Sequence, residues 1–291
     1  MPPTQAAAQP EIDSVSDGMK VLESQDRSLV IGVWAVTVLL AAISFWFAFV
    51  YFGTSSTDSS DLENRLLVVA LPLMIPLMFY GYLSSKARHE MVAQIAQSFG
   101  YTYQKTASMS DVSGAIFTQG HSRNITDVMA GMYRDLPIRF YTYSYTVQEG
   151  KHSHTYHDVV CELTYSSPLP HMVLLAQNFF GNGDVGFFSG LGSLQKAQLE
   201  GGFDEHFKLY VDPGAQIELR EVLQPDVMQD LIDRFHDDDL EIHGNKIYLL
   251  QHGLLMTRDR YVTLRTLADS LIDKLLPGLR SAAEGASAPA N

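Results

Sequence analysis

The densest group of potential metal ligands is the segment Lys-His-Ser-His-Thr-Tyr-His-Asp at 151–158. His152 and His154 would share a face if this segment were extended, and His157 and Asp158 lie three and four residues after His154. Imidazole nitrogens and a carboxylate are ligands that zinc and similar divalent ions accept. A polar hairpin loop, however, is also a place where histidines are simply solvated, and no HExxH pair reinforces the group. The segment therefore predicts a solvated loop, with a metal site as the alternative.

Two further segments carry residue types that bind ligands in other proteins. Residues 181–186 read Gly-Asn-Gly-Asp-Val-Gly, which matches the G-x-G-x-x-G pattern of dinucleotide-binding loops. Such a loop must open a helix whose N-terminus faces the pyrophosphate, whereas Phe-Phe-Ser-Gly-Leu-Gly follows here, so we predict a flexible glycine loop. The acidic run 237–239, preceded by Asp230 and Asp233, lacks the spacing of an EF-hand calcium loop. It predicts a solvated helix end.

No pattern of a catalytic nucleophile is present in the sequence. There is no G-x-S-x-G elbow and no phosphate-binding P-loop. The single cysteine, Cys161, excludes an internal disulfide and argues against a cysteine-based zinc site. The sequence therefore predicts no catalytic residue, no cofactor and no metal.

Hydrophobic periodicity places these segments in a mixed domain over 84–280. Tyr141, Tyr143 and Tyr145 alternate with polar residues, which is typical of a half-buried antiparallel strand. The same criteria predict strands at 124–134, 138–147, 156–165, 172–177, 207–211, 240–242 and 246–250, a loop at 148–155, and helices at 84–99, 225–235 and 264–276, the last stopped by Pro277-Gly278. This order predicts an α+β fold with a mainly antiparallel sheet closed by C-terminal helices, for which a small roll or barrel is one arrangement.

Two apolar runs without charged residues, 29–52 and 66–83, precede this domain. As helices they would be about 36 Å and about 27 Å long, so both can cross a bilayer, although a re-entrant segment remains an alternative for the second. The connection 53–64 has no lysine or arginine, whereas basic residues flank both outer ends. The positive-inside rule therefore predicts a two-helix transmembrane hairpin over 29–83 with both termini cytoplasmic. We predict a disordered N-terminus with a short helix over 1–28, and a disordered tail over 281–291.

The charge balance limits the partners of this domain. The formal net charge of the chain is −13. Residues 84–291 hold 17 basic and 25 acidic side chains, so a phosphate backbone is repelled. We expect the lipid bilayer and a protein partner or second copy of the chain, and no nucleic acid.

Six short strings after the apolar runs carry a family resemblance. They are FTQGHSR at 117–123, SPLPH at 167–171, LEGGF at 199–203, FKLYV at 207–211, LQPDVM at 223–228 and GNKIY at 244–248. In this order, over roughly residues 85–250, they resemble an uncharacterised bacterial "domain of unknown function" family that is frequent in small-genome candidate-phylum bacteria. The family tends to have Thr where this chain has Gln224. The resemblance implies two N-terminal spans and a cytoplasmic domain, and it brings no catalytic residue and no ligand.

These observations favour a membrane-anchored, non-enzymatic interaction or regulatory module in the plasma (inner) membrane. Charged residues inside a membrane span are the usual mark of a transport path. The two apolar runs contain none, so they do not indicate such a path. Two alternatives belong to other classes. One is a metal-dependent enzyme that uses His152, His154 and His157, and the other is an accessory subunit of a transport or secretion complex.

Overall fold

The computed structural model describes residues 12–25, 27–51, 72, 74–177, 191–199, 202–215, 222–235, 237–254 and 257–286. The chain divides into two compact units, Met1–Gln94 and Ile95–Asn291. The helices are α1 Val15–Gln25, α2 Arg27–Tyr51, α3 Met74–Phe99, α4 Pro225–Phe235, α5 Arg258–Ser270 and α6 Leu276–Ala286. The strands are β1 Thr102–Ala107, β2 His121–Tyr133, β3 Leu136–Glu149, β4 His152–Thr164, β5 Met172–Ala176, β6 Gln195–Ala197, β7 Phe207–Val211, β8 Asp238–His243 and β9 Lys246–His252.

Helix α2 in the N-terminal unit is apolar around its whole circumference. Trp34 and Phe45 are 56% and 65% exposed, so the helix leaves large apolar side chains uncovered. Over the described residues, Arg27–Trp46 is the one helical stretch long and apolar enough to cross a membrane. The whole connection, 53–64, and residues 66–71 and 73 of the predicted second span lie outside the described residues. The second span therefore stays a prediction.

Helix α3 begins in the second apolar run and continues without a break to Phe99. The predicted continuation over 84–99 is thus confirmed. Gly100 has φ +73 and ends the helix as predicted, since the left-handed conformation favours glycine. The Tyr101 N–H donates to Ala96 O at 2.8 Å and satisfies a carbonyl of the last turn.

The C-terminal unit is built on one nine-stranded sheet with the order β1-β2-β3-β4-β9-β8-β5-β7-β6. Every neighbouring pair is antiparallel, which confirms the predicted α+β class with a mainly antiparallel sheet. Among the described residues β1 and β6 lie at the two edges, so the sheet does not close into the barrel that was one suggested arrangement. The predicted loop at 148–155 is also wrong, because β3 runs to Glu149 and β4 begins at His152.

The two faces of the sheet are covered by different elements. One face, here called the tyrosine face, buries Tyr141, Tyr143, Tyr145, Tyr210 and Tyr248. The 3-10 turn at 116–118 packs on it, with the ring of Phe117 centred 4.9 Å from Tyr248 and 5.1 Å from Tyr143. The opposite face packs against α5, which contacts β4. The tyrosine face carries the buried side chains of Asp158, Glu162, Asp239 and Glu241 described below, whereas Asp238 alternates to the opposite face.

The C-terminal helix differs from its prediction. It does not stop at Pro277-Gly278 but continues as α6 to Ala286, so the predicted tail is helical over 281–286, and 287–291 lie outside the described residues. A π turn at 271–275 precedes the proline, and in it Leu276 N–H donates to Leu271 O. Such a local widening lets a helix accommodate a residue that has no N–H to donate.

Candidate functional site

The histidines singled out in the sequence do not form one cluster. His152, His154 and Asp158 alternate along β4 and point to one side, whereas His157 has the opposite parity and points to the other. His152 and His154 are exposed at the end of the β3–β4 hairpin. Asp158 is buried and engaged elsewhere. The strand therefore separates the three histidines of the alternative enzyme hypothesis.

Asp158 belongs to a buried group of one imidazole and two carboxylates. His252 Nδ1 lies 3.0 Å from Asp158 Oδ1, and His252 Nε2 lies 3.2 Å from Asp239 Oδ2. All three side chains are at most 5% exposed. Burial alone would lower the pKa of His252, but hydrogen bonds and the charges of the two carboxylates outweigh it and raise that pKa to about 10. His252 is therefore an imidazolium at neutral pH that ties β4 to β8 and β9.

In the acidic run at 237–239, Asp238 and Asp239 belong to strand β8, so the prediction of a solvated helix end is wrong for these two residues, whereas Asp237 is an exposed turn residue. Asp238 and Asp239 are 4% and 2% exposed. Asp239 Oδ1 accepts the N–H of Ala176 at 2.9 Å, in addition to the contact with His252. Among the described residues, the hydrogen bond that the Asp238 side chain accepts is a long one, 3.4 Å, from Gln251. Burial raises the pKa of Asp238 to about 7.

Glu162 on β4 is a buried carboxylate that two permanent cations neutralise. Its Oε1 lies 2.9 Å from Lys246 Nζ and 3.4 Å from Arg139 Nη1. The Tyr141 hydroxyl donates to its Oε2 at 3.1 Å. Burial and the Glu162 charge together raise the pKa of Tyr141 well above its usual value, so this tyrosine remains a donor. Such a satisfied network holds strands together and has no free valence for chemistry.

Glu241 on β8 is a second buried carboxylate, and its surroundings differ. Its Oε1 and Oε2 accept the N–H groups of Ala115 and Ile116 at 2.7 and 2.9 Å. His171 Nε2 lies 3.1 Å from Oε1. A Cβ built on Gly114, where φ is +140, would come within 2.6 Å of Oε2. The chain before the 3-10 turn is thus folded tightly around this carboxylate.

A second histidine adjoins Glu241. The ring of His243 packs edge-on to the ring of His171, with centroids 4.7 Å apart and an interplanar angle of 76°. One ligand atom from each of His171, Glu241 and His243 can be chosen so that all three lie within 4.8 Å of one another. The Nδ1 atom of His243 is buried and accepts or donates no hydrogen bond among the described residues. Two imidazoles and a carboxylate are a ligand set that holds a divalent metal in other proteins.

A surface cleft of about 630 Å³ adjoins the segment that holds Glu241. Gly114, Phe117 and Arg123 line it. Arg123 Nη1 donates to Phe117 O at 2.8 Å, which fixes this guanidinium at the edge of the cleft.

Sequence reasoning did not identify His171, Glu241 or His243 as a group. Glu241 lies in the predicted strand 240–242, but His243 falls just beyond it and shares its face only because the observed strand β8 extends to His243. His171 lies 70 positions from Glu241, and only the β5–β8 pairing joins them. The glycine loop at 181–186 lies outside the described residues. Its predicted role stays untested.

Comparison with known proteins gives one structural likeness. No known family model matches the sequence, and no curated protein matches it. The chain is similar to the crystal structure of the mycobacterial trehalose monomycolate transport factor A, TtfA. The likeness covers 63% of this chain and 93% of that one, with 13% sequence identity and a TM-score of 0.42. At this identity a shared activity does not follow.

Proposed function

We propose that this protein is a membrane-anchored, non-enzymatic interaction or regulatory module. Two N-terminal spans hold it in the plasma (inner) membrane, both termini are cytoplasmic, and the sheet domain binds a protein partner or a second copy of the chain. The proposal includes membership of the two-span bacterial family that the sequence resembles. The observation that carries it is the exposed apolar surface of α2.

The exposure of α2 is difficult to reconcile with an aqueous environment. Large apolar side chains are uncovered along its whole length, at Leu29, Ile31, Trp34, Val36, Val38, Leu39, Leu40, Ile43, Phe45, Trp46 and Val50. Soluble proteins rarely leave so large a continuous apolar surface exposed. A hydrocarbon core about 30 Å thick would cover a helix of this length. Insertion in a bilayer therefore accounts for the surface.

The sheet domain supports a non-enzymatic role through the pairing of its buried charges. Glu162 is matched by Lys246 and Arg139, and Asp158 and Asp239 share His252. Burial raises the pKa of Cys161 far above its usual range, so its thiol is not a nucleophile. These paired groups stabilise the sheet. The binding function that we propose is therefore assigned to the surface of the domain.

Cysteine labelling in intact cells tests the topology. Cys161 is buried and unreactive, so the natural chain is a suitable background. Ser56→Cys is expected to react with a membrane-impermeant maleimide in intact cells, because the connection 53–64 faces outward. Lys151→Cys, at the exposed hairpin tip of the sheet domain, is the matched control and is expected to react only after lysis. Labelling of Lys151→Cys in intact cells would place the sheet domain outside and overturn the orientation.

A further inference from the structure

We propose that His171, Glu241 and His243 form a binding site for one divalent transition-metal ion of the zinc class. This goes beyond the anchoring and interaction role, because it assigns the sheet domain a specific ligand. It also places a metal at residues other than the exposed histidines of the β3–β4 hairpin.

The charge balance around Glu241 is the first support. Glu241 is completely buried, and among the described residues no lysine or arginine forms an ion pair with it. Its charged neighbour is a histidine, which is cationic only when protonated. A buried carboxylate requires a compensating positive charge. A metal ion held by two neutral imidazoles supplies that charge without protonating either ring.

The donor geometry is the second support. Nitrogen and oxygen ligands of a tetrahedral zinc at about 2.1 Å are about 3.4 Å from one another. The three candidate donors lie within 4.8 Å of one another, so a modest closure brings them to this spacing. His171 precedes β5 in an irregular segment, where its side chain can adjust, whereas Glu241 and His243 are fixed two residues apart on β8. The His243 Nδ1 is buried and forms no hydrogen bond among the described residues, so the ring has no hydrogen bond to break at this atom when it binds an ion.

The surroundings orient the carboxylate as they do at established metal centres. Outer hydrogen bonds that fix a ligating group are a regular feature of such sites. Here the N–H groups of Ala115 and Ile116 hold both oxygens of Glu241, while Oε1 also faces His171 Nε2 and Oε2 retains a second lone pair. Gly114 permits the close approach. The side chain of His171 is 19% exposed, so an ion can enter and a water can complete the coordination as a fourth ligand.

Metal titration of the full-length chain in detergent tests the proposal. After removal of metal with a chelator, the protein is titrated with Zn²⁺ in competition with a chromophoric chelator, and with Co²⁺ to read the ligand-field absorption spectrum. We expect one tight equivalent per chain and a tetrahedral Co²⁺ spectrum with nitrogen and oxygen ligands. No tight equivalent, or only weak uptake by several sites, would overturn the proposal.

Two sets of variants locate the site. His243→Gln is expected to lower the zinc affinity at least about 100-fold and to abolish the Co²⁺ spectrum, because it removes a ligand. Its fold should persist, since His243 Nδ1 makes no hydrogen bond among the described residues. The double variant His152→Gln/His154→Gln, which changes two exposed histidines of the same sheet, is the control and should bind zinc like the natural chain. Loss of binding in this control, with retention in His243→Gln, would assign the metal to the hairpin and refute the site.

Discussion

Two buried glutamates occupy the same row of the sheet and are neutralised in different ways. Glu162 on β4 and Glu241 on β8 lie on either side of Tyr248 of β9, which is the register partner of both. Glu162 contacts Arg139 and Lys246, whose charges are permanent in the physiological range. Glu241 contacts two backbone N–H groups and an imidazole. Two permanent cations neutralise the charge of Glu162. Glu241 instead faces an imidazole, which can also bind a metal ion.

The position of each glutamate in the sheet determines which groups can neutralise its charge. Arg139 and Lys246 are register neighbours of the Glu162 row, so the strands themselves deliver the compensating charges. At Glu241 the compensation comes from a turn at 115–116 and from a residue before β5, both outside the strand ladder. The surroundings of Glu241 can therefore rearrange more easily than those of Glu162, because its partners lie in loops and not in paired strands. Substitutions that change one glutamate site and not the other therefore test whether the two sites are distinct.

The largest expected effect is the loss of the Glu162 charge. Glu162→Gln leaves Lys246 and Arg139 beside a neutral amide, and removal of one member of a buried charge group destabilises a protein by about 3 kcal/mol. The free energy of unfolding is measured by urea titration of the detergent-solubilised chain, followed by near-UV circular dichroism of the tyrosines. Glu205→Gln, at an exposed position, is the control and should change little. A change below about 1 kcal/mol at Glu162 would mean that its cations contribute no net stability.

The next effect concerns zinc and separates the two sites directly. At free zinc about 100-fold above the dissociation constant, the free energy of unfolding should rise by about 2.7 kcal/mol through linkage. The increment should disappear in His243→Gln and remain in Glu162→Gln, because only the Glu241 site holds the ion. The same urea titration, with and without zinc, measures it. If Glu162→Gln also abolished the increment, the two glutamates would act as one site.

A third buried carboxyl group, Asp238, differs from both glutamates, because among the described residues it accepts a hydrogen bond from a side-chain amide, that of Gln251, and forms no ion pair or hydrogen bond with a backbone N–H. Burial raises its pKa in the folded protein to about 7, from about 3.8 in the unfolded chain. Because the folded state holds the proton more tightly, the contribution of Asp238 to stability is complete below pH 3.8 and is lost as the pH rises to about 7. Asp238→Asn should therefore stabilise the protein by about 2 kcal/mol at pH 8 and have little effect at pH 3.5. An equal effect at both pH values would contradict the assigned protonation.

The sequence predicted the strands around this row better than the charges within it. The alternation of Tyr141, Tyr143 and Tyr145 identified β3 and its buried face, because a period of two is a local signal. The same local criterion predicted a loop at 148–155, because this segment is polar and lacks alternating apolar residues. It is strand because Thr146 and Thr155 pair across the hairpin, and polar residues at the exposed end of a hairpin still satisfy the backbone ladder.

The buried charged groups were not predicted from the sequence for a different reason. An acidic run such as 237–239 appears solvated when only its neighbours in sequence are considered. In the fold, Asp239 lies against His252 and receives the N–H of Ala176, which is 63 residues away. Likewise His171 and Glu241 meet only through the pairing of β5 with β8. Partners brought together by strand order are invisible to spacing rules, because those rules describe one element at a time.

The smallest effect is expected at the exposed histidines of the β3–β4 hairpin. His152 and His154 are solvent-exposed, and their register partners are Glu149 and Val147. Neither imidazole belongs to a metal-ligand group among the described residues. The double variant His152→Ala/His154→Ala should therefore change the free energy of unfolding by no more than about 0.5 kcal/mol, as is usual for exposed positions. It should also leave the zinc increment intact, which distinguishes these two histidines from His171 and His243. A destabilisation of several kcal/mol that appears only in the presence of zinc would show that the hairpin holds a structural ion, and would return the metal to the site that the sequence first suggested.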